Sequence, residues 1–267
     1  MTYGIGFIGA GKMATAMIEG IIAKGLYGKK DVVACCRSES TKRRIEGLGV
    51  DCYLDPKPVF EGCDLIVIAV KPNQIEAILT TNPAANATNK LLISVAAGVK
   101  IGTLETYVPD SKIVRVMPNV CSTVLEGASS YTLGTKATPE DGRKVREILE
   151  AIGFAFEVPE KDIDAVTGLS GSSPAYLFMV IDAMTDAGVQ LGLPKDLARK
   201  LAAQTMLGSA KTVMETGREP EELKQSVCSP GGTTIEGVKV LEDRRMKDAF
   251  IDAIKASAEK SKRMGAN

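Results

Sequence analysis

The sequence predicts an α/β fold in two parts: a parallel-sheet domain over residues 1–160 and an all-helical domain over 161–267. Three observations lead there. Through about residue 158, short apolar runs alternate with amphipathic segments, the signature of β-α repeats. The runs at 4–8, 32–36, 65–70, 91–95 and 113–117 are almost continuously hydrophobic, as expected of strands covered on both faces. After about residue 160 the strand signal stops and long helical patterns take over.

Taken in order, two weaker runs at 130–133 and 155–158 extend the sheet. Between them, Thr138-Pro139-Glu140-Asp141 predicts a capped helix start with proline at the first position and acids in the first turn. Val145, Ile148, Leu149 and Ile152 form one face of that helix, and Gly153 is expected to close it. In the second half, Ser173-Pro174 opens a helix that runs to Leu191 and stops at Gly192. Its clearly polar positions are Asp182, Thr185, Asp186 and Gln190, so it must be surrounded by protein. A helix over 195–216 carries Ala198, Ala202, Gly208, Ser209 and Ala210, small enough for close helix contact. A last helix over 243–263 has Met246, Phe250, Ala253 and Ile254 on one side and ends in Lys260, Lys262 and Arg263, which suit the negative end of its dipole. So much apolar helix is hard to cover within one chain, and a subunit interface is the natural solution.

Composition excludes several functions. The 33 basic and 33 acidic side chains cancel, so no global field recruits nucleic acid or an anionic membrane. No apolar stretch reaches the roughly 20 residues needed to span a bilayer, and no signal-peptide pattern opens the chain. A cytoplasmic location is expected. The six cysteines show no C-x-x-C pair or metal-ligand spacing and read as buried reduced thiols. There is no histidine, which removes the commonest catalytic base and histidine-built zinc sites.

The first motif with chemistry is Gly9-x-Gly11-x-x-Ala14, directly after a strand and opening an amphipathic helix. Gly9 permits the tight turn, Gly11 lets a pyrophosphate approach the backbone, and Ala14 lets the helix pack close to the strand. The helix N-terminus adds amides and partial positive charge. The sheet domain is therefore read as a Rossmann-type dinucleotide-binding domain. Where a free ribose 2′-hydroxyl would call for an acid, the second strand ends Cys36-Arg37-Ser38. Arg37 and Ser38 suit a 2′-phosphate, which points to NADPH, with NADH as a second usable donor. Lys42, Arg43 and Arg44, one turn later, read as surface charges.

Ala69-Val70-Lys71-Pro72, Ala96-Ala97-Gly98 and Pro118-Asn119 all follow strands, at the end where ligands bind in such sheets. In the helical half, Ser229-Pro230-Gly231-Gly232-Thr233-Thr234 is a Gly-rich turn before a helix at about 234–241. Its amides can grip a carboxylate and its hydroxyls can reach a reacting group; equally, it can be an ordinary capped helix start. A hydroxyacid dehydrogenase with Lys71 as acid/base and a non-catalytic NADPH sensor remain alternatives. The pair Tyr53 and Lys57 has the spacing of another dehydrogenase class, but Pro56 denies it the required helix.

The chain resembles the pyrroline-5-carboxylate reductases along essentially its whole length. The resemblance is carried by Gly6-Phe7-Ile8-Gly9-Ala10-Gly11-x-Met13-Ala14, Ala69-Val70-Lys71-Pro72, Ser94-Val95-Ala96-Ala97-Gly98-Val99 and Arg115-x-Met117-Pro118-Asn119. Asp164-Ala165-Val166-Thr167-Gly168-Leu169-Ser170-Gly171-Ser172 and Ser229-Pro230-Gly231-Gly232-Thr233-Thr234 continue it. It implies hydride transfer from NADPH to a cyclic imine acid, giving L-proline, and a helical half that dimerises and assembles further to a decamer. It also implies cofactor contacts from Gly9, Ala10, Gly11, Lys12, Met13, Ala14, Arg37, Ser38, Val70, Lys71, Pro72, Ala97 and Asn119. Ser229, Gly231, Gly232 and Thr233 would hold the substrate, with Thr234 hydrogen-bonding the imine nitrogen. The chain departs from the family's usual pattern at Ser173, at Val120-Cys121 and at Asp55-Pro56. A protonated imine is already electrophilic, so its reduction needs positioning and one donor rather than a strong base, which suits a chain without histidine.

Arg37→Ala should raise the Michaelis constant for NADPH and leave that for NADH nearly unchanged. Equal loss with both cofactors would mark Arg37 as structural.

Overall fold

The computed structural model describes residues 2–265. The chain forms two compact units, Met1–Ser172 with Ala256–Asn267 and Ser173–Lys255. The boundary between residues 160 and 161 divides the chain instead by element type, since the last strand ends at Glu157.

The first unit holds one eight-stranded sheet. Its strands are β1 (Ile5–Ile8), β2 (Val32–Cys35), β3 (Asp51–Tyr53), β4 (Leu65–Ile68), β5 (Leu91–Ser94), β6 (Lys112–Met117), β7 (Gly127–Leu133) and β8 (Gly153–Glu157). They lie in the order β3-β2-β1-β4-β5-β6-β7-β8, parallel except for the antiparallel β6–β7 pair. β3 was not among the apolar runs: it is three residues at the sheet edge, with Cys52 alone buried between half-buried Asp51 and Tyr53.

Helices cover both faces. On one side α1 (Lys12–Ala23) places Ala14, Met17, Ile18 and Ile21 in the core, Ile45 of α2 (Glu39–Glu46) joins it, and α6 (Pro139–Glu150) contributes Val145, Ile148 and Leu149. On the other, α3 (Lys57–Gly62) contributes Val59 and Phe60, α4 (Ile75–Thr80) Ile75 and Leu79, and α5 (Ile101–Tyr107) Leu104. Apart from Ala14, each of these side chains, fully buried, contributes about 1.5–3 kcal/mol.

α6 (Pro139–Glu150) starts as its sequence predicts, but it ends with Ala151 as its C-cap. Gly153 does not close the helix. It is the first residue of β8, paired with Gly127, because the chain must turn back into the sheet two residues after the cap. Farther on, α7 (Ile163–Val166) runs into one π turn, Thr167–Gly171. The Asn119 amide nitrogen donates to the carbonyl of Ser170 in that turn (3.1 Å).

The second unit contains α8 (Ser173–Gln190), α9 (Lys195–Thr216), α10 (Pro220–Ser226), α11 (Thr233–Asp243) and the first part of α12 (Met246–Met264). Sequence reading missed α10, whose proline start and two following acids were legible but whose seven residues carry too little periodicity. It also ran α12 back to Asp243, which belongs to α11; Arg245, at φ 55, breaks the two helices apart. On α8 only Pro174 and Thr185 are buried, while Phe178 is 59% and Met179 71% exposed in the single chain. No helix among the described residues is long and apolar enough to cross a membrane.

The start of α6 gives a pH-dependent test. Asp141 Oδ2 accepts from the Thr138 amide (2.8 Å) and hydroxyl (2.7 Å) and pairs with Lys112 Nζ (3.0 Å). Burial works to raise this carboxyl, but the Thr138 and Lys112 contacts outweigh it and hold it below the usual carboxylate range. A carboxyl lowered by folding contributes stability above its unfolded pKa, and that contribution fades as pH falls through its folded value. Asp141→Asn should therefore cost about 1–3 kcal/mol near neutral pH. The gap from the parent protein should shrink below about pH 4 in urea melts.

Candidate cofactor cleft and substrate loop

Parallel pairing sets Ile8 level with Cys35 on one side and with Ile68 on the other. The chain therefore leaves β1, β2 and β4 at one edge. Because the connections from β1 and β4 turn away on opposite sides, a crevice opens there. Gly9 seals its floor. Its amide donates to Cys35 O (2.9 Å), its φ is 94°, and a Cβ would lie 2.4 Å from the Ala69 carbonyl oxygen. Only glycine fits.

Gly11 is the N-cap of α1 in extended backbone, and a Cβ built on it meets nothing within 4 Å. A side chain there would project into the cleft, so the free space in front of the α1 amides is a cradle of the kind a diphosphate needs. Ala14 is fully buried beneath. The cleft, about 750 Å³, is of ligand-binding size. It brings together seven of the residues named from sequence: Gly9, Ala10, Gly11, Arg37, Ser38, Val70 and Lys71. Ser38 caps α2, its hydroxyl accepting from the Thr41 amide (3.3 Å) and donating to Thr41 Oγ1 (2.9 Å). That holds it at the positive end of the helix, beside the exposed Arg37.

Lys12, Met13, Ala14, Pro72, Ala97 and Asn119 do not line this cleft. Asn119 is 8% exposed, and its amide also accepts from Ala128 N (3.2 Å), tying β7 to the π turn. Sequence reasoning missed the apolar walls Leu54, Pro56, Ala77 and Ile78, which suit a flat base. Leu54 and Pro56 follow the unrecognised β3; Ala77 and Ile78 sit on a helix that no motif marks. Tyr53 ends β3 and Lys57 begins α3, so that pair shares no helix.

The basic cluster needs a correction. Arg44, read as a surface charge, closes onto the glycine turn: Nη2 donates to Ala10 O (2.6 Å) and Nη1 to Thr15 Oγ1 (2.7 Å). Cys35, Cys36, Cys52 and Cys63 are free and buried, and burial pushes the thiols of Cys35, Cys52 and Cys63 up to about 12. These thiols are poor nucleophiles.

The Gly-rich loop lies in the second unit. Gly232 N donates to Ser229 O (3.0 Å), closing a turn with Pro230 at its second position and Gly231, at φ 72°, at its third. This is the residue pattern of a type II turn. Gly232 is the N-cap of α11, so Thr233 and Thr234 are its first two helical residues and both are exposed. Thr234 is therefore not the cap of this helix.

The family model described as pyrroline-5-carboxylate reductase dimerisation matches residues 160–264. The one described as NADP oxidoreductase, coenzyme F420-dependent, matches 4–98. A pyrroline-5-carboxylate reductase of Methanosarcina acetivorans is 43% identical over 263 residues, 98% of this chain and 97% of the relative. One from Arabidopsis thaliana is 40% identical over 98% of this chain and 96% of its own. Among solved structures, a pyrroline-5-carboxylate reductase from Coxiella burnetii superposes with a TM-score of 0.91 at 35% identity, covering 99% of both chains. The Plasmodium falciparum pyrroline carboxylate reductase with NADP bound gives 0.87 at 34% identity over 98% of each. With its dinucleotide cradle, its Gly-rich turn and relatives this close along the full length, the chain belongs to the pyrroline-5-carboxylate reductase family.

Proposed function

We propose that this protein reduces 1-pyrroline-5-carboxylate to L-proline with NADPH, using Arg37 and Ser38 to select the cofactor and Thr234 to assist the hydride transfer. Full-length identity of 43% to a reductase of that name is the observation that carries the activity. NADPH supplies the hydride. The ring carbon of the C=N bond accepts it, and the protonated nitrogen becomes an amine.

The chain's residues supply placement and charge. Amides at the start of α1 face the diphosphate, with Gly9, Ala10, Gly11, Lys12 and Met13 around it and Ala14 letting the helix pack close beneath. Arg37 and Ser38 take the 2′-phosphate, and Val70, Lys71, Pro72, Ala97 and Asn119 complete the cofactor contacts. Ser229, Gly231, Gly232 and Thr233 hold the substrate carboxylate through the turn and the first amides of α11. Thr234 donates to the substrate nitrogen as it becomes an amine. No side-chain base is needed, in keeping with a chain that has no histidine.

The helical half forms a homo-oligomer, in line with the dimerisation family model over 160–264 and with the bare apolar face of α8. A homodimer that assembles further to a decamer is our reading, as are a cytoplasmic location, the absence of nucleic-acid partners, and a boundary between a cofactor domain over 1–160 and a helical domain over 161–267. The cancelled net charge and the free cysteines support the location and the lack of nucleic-acid binding.

The direct test is loss of NADPH absorbance with racemic pyrroline-5-carboxylate; absence of turnover with it would reject the reaction. Thr234→Ala should lower turnover about ten- to a hundredfold, the value of one hydrogen bond to a charged group. NADPH affinity and melting temperature should hardly move, and Thr233→Ala should matter less. Normal turnover in Thr234→Ala would end its catalytic assignment. Light scattering at micromolar concentration should show an oligomer, and a well-folded monomer would refute an interface on α8.

A further inference from the structure

We infer that Arg44 is a positioning residue for the cofactor: it braces the glycine turn and strengthens the two amides that meet the diphosphate. This rests on the dinucleotide reading of the cleft. The fork of Arg44 closes on two acceptors, with Nη2 on the carbonyl of Ala10 at 2.6 Å and Nη1 on Thr15 Oγ1 at 2.7 Å. The Thr15 hydroxyl in turn donates to the carbonyl of Gly11 at 2.9 Å. The Ala10 carbonyl shares its peptide unit with the Gly11 amide, and the Gly11 carbonyl shares its unit with the Lys12 amide. A cation drawing on both carbonyls, one directly and one through the hydroxyl, polarises both N–H groups in the same sense.

Those two amides sit at the N-terminal end of α1, where Gly11 leaves space that any side chain would fill. Arg44 therefore adds to the helix end the charge that an anion there would meet, without occupying its place. No carboxylate among the described residues forms an ion pair with Arg44. The dipole at the end of α2 favours a cation in its last turn, but that does not require the fork to close on another helix. The bonds also lock α2, which carries Ser38, to the turn that holds the diphosphate.

The test is direct binding to the oligomer without substrate, followed by fluorescence or calorimetry. Arg44→Met keeps the stem and removes the donors. It should weaken NADPH and NADH by the same factor, about three- to tenfold, since both carry the diphosphate. Adenosine 2′-monophosphate, which lacks the diphosphate, should bind as before. Arg44→Lys should recover part of the loss, and Thr15→Val, without the hydroxyl relay, should reproduce part of it. The cofactor-free melting temperature should stay within a degree or two, because the residue is exposed. A loss confined to NADPH and adenosine 2′-monophosphate would make Arg44 a direct 2′-phosphate contact and overturn the brace. Unchanged affinities would overturn it too, as would equal losses accompanied by a clear fall in melting temperature. Failure of the unsubstituted protein to bind any of these nucleotides would instead refute the dinucleotide reading itself.

Discussion

At the end of β1 the backbone of Gly9 lies so close to the Ala69 carbonyl that no side chain can stand between them. Its amide is bonded to Cys35 O, while the Ala69 amide is bonded to Ile8 O, so three strands leave the sheet at one level. Much of the cofactor half depends on that level edge. It lets α1 begin three residues after Gly9 with its free amides over the crevice, and it brings the ends of β2 and β4 to the rim. The buried faces of α1 and α6 on one side and of α3, α4 and α5 on the other keep the sheet between them and make the edge rigid.

The electrostatics of this half are arranged so that the protein presents positive potential without deep burial of unpaired charge. Helix ends, oriented amides and the exposed Arg37 face the cleft, and Arg44 reaches the same turn from behind. Buried ionic groups are used elsewhere and are paired, as with Arg115 and Glu160 (3.0 Å) or Lys112 and Asp141. The division is physical. A buried charge needs a fixed partner to offset desolvation, whereas a ligand site must keep its charge available for an anion that comes and goes.

The helical half obeys a different constraint. α8 buries little within the single chain, and α9 leaves Leu201, Leu207 and Met214 more than half exposed. Apolar surface on this scale fits a dimerisation domain, the description of the family model that matches residues 160–264. The family reading explains why strand-to-strand logic stops near residue 158 while the hydrophobic content does not.

Much of this was legible in the sequence because it depends on local chemistry. Five nearly continuous apolar runs and two weaker ones marked seven of the eight strands, the Thr138–Asp141 box marked the start of α6, and the glycine pattern after β1 marked the cradle. The distinct motifs spread along the chain were specific enough to indicate the family before any fold was known. The rest needed tertiary structure because the residues meet only through space. β3 is recognisable by its pairing with β2 and not by its composition, and without it the walls at Leu54 and Pro56 could not be placed. Gly153, a plausible helix stop by local rules, was claimed by the sheet through Gly127. Arg44 looked like one more solvated cation, since nothing along the chain relates it to Ala10 and Thr15. Only the packing of α2 beside the start of α1 brings them within hydrogen-bond distance.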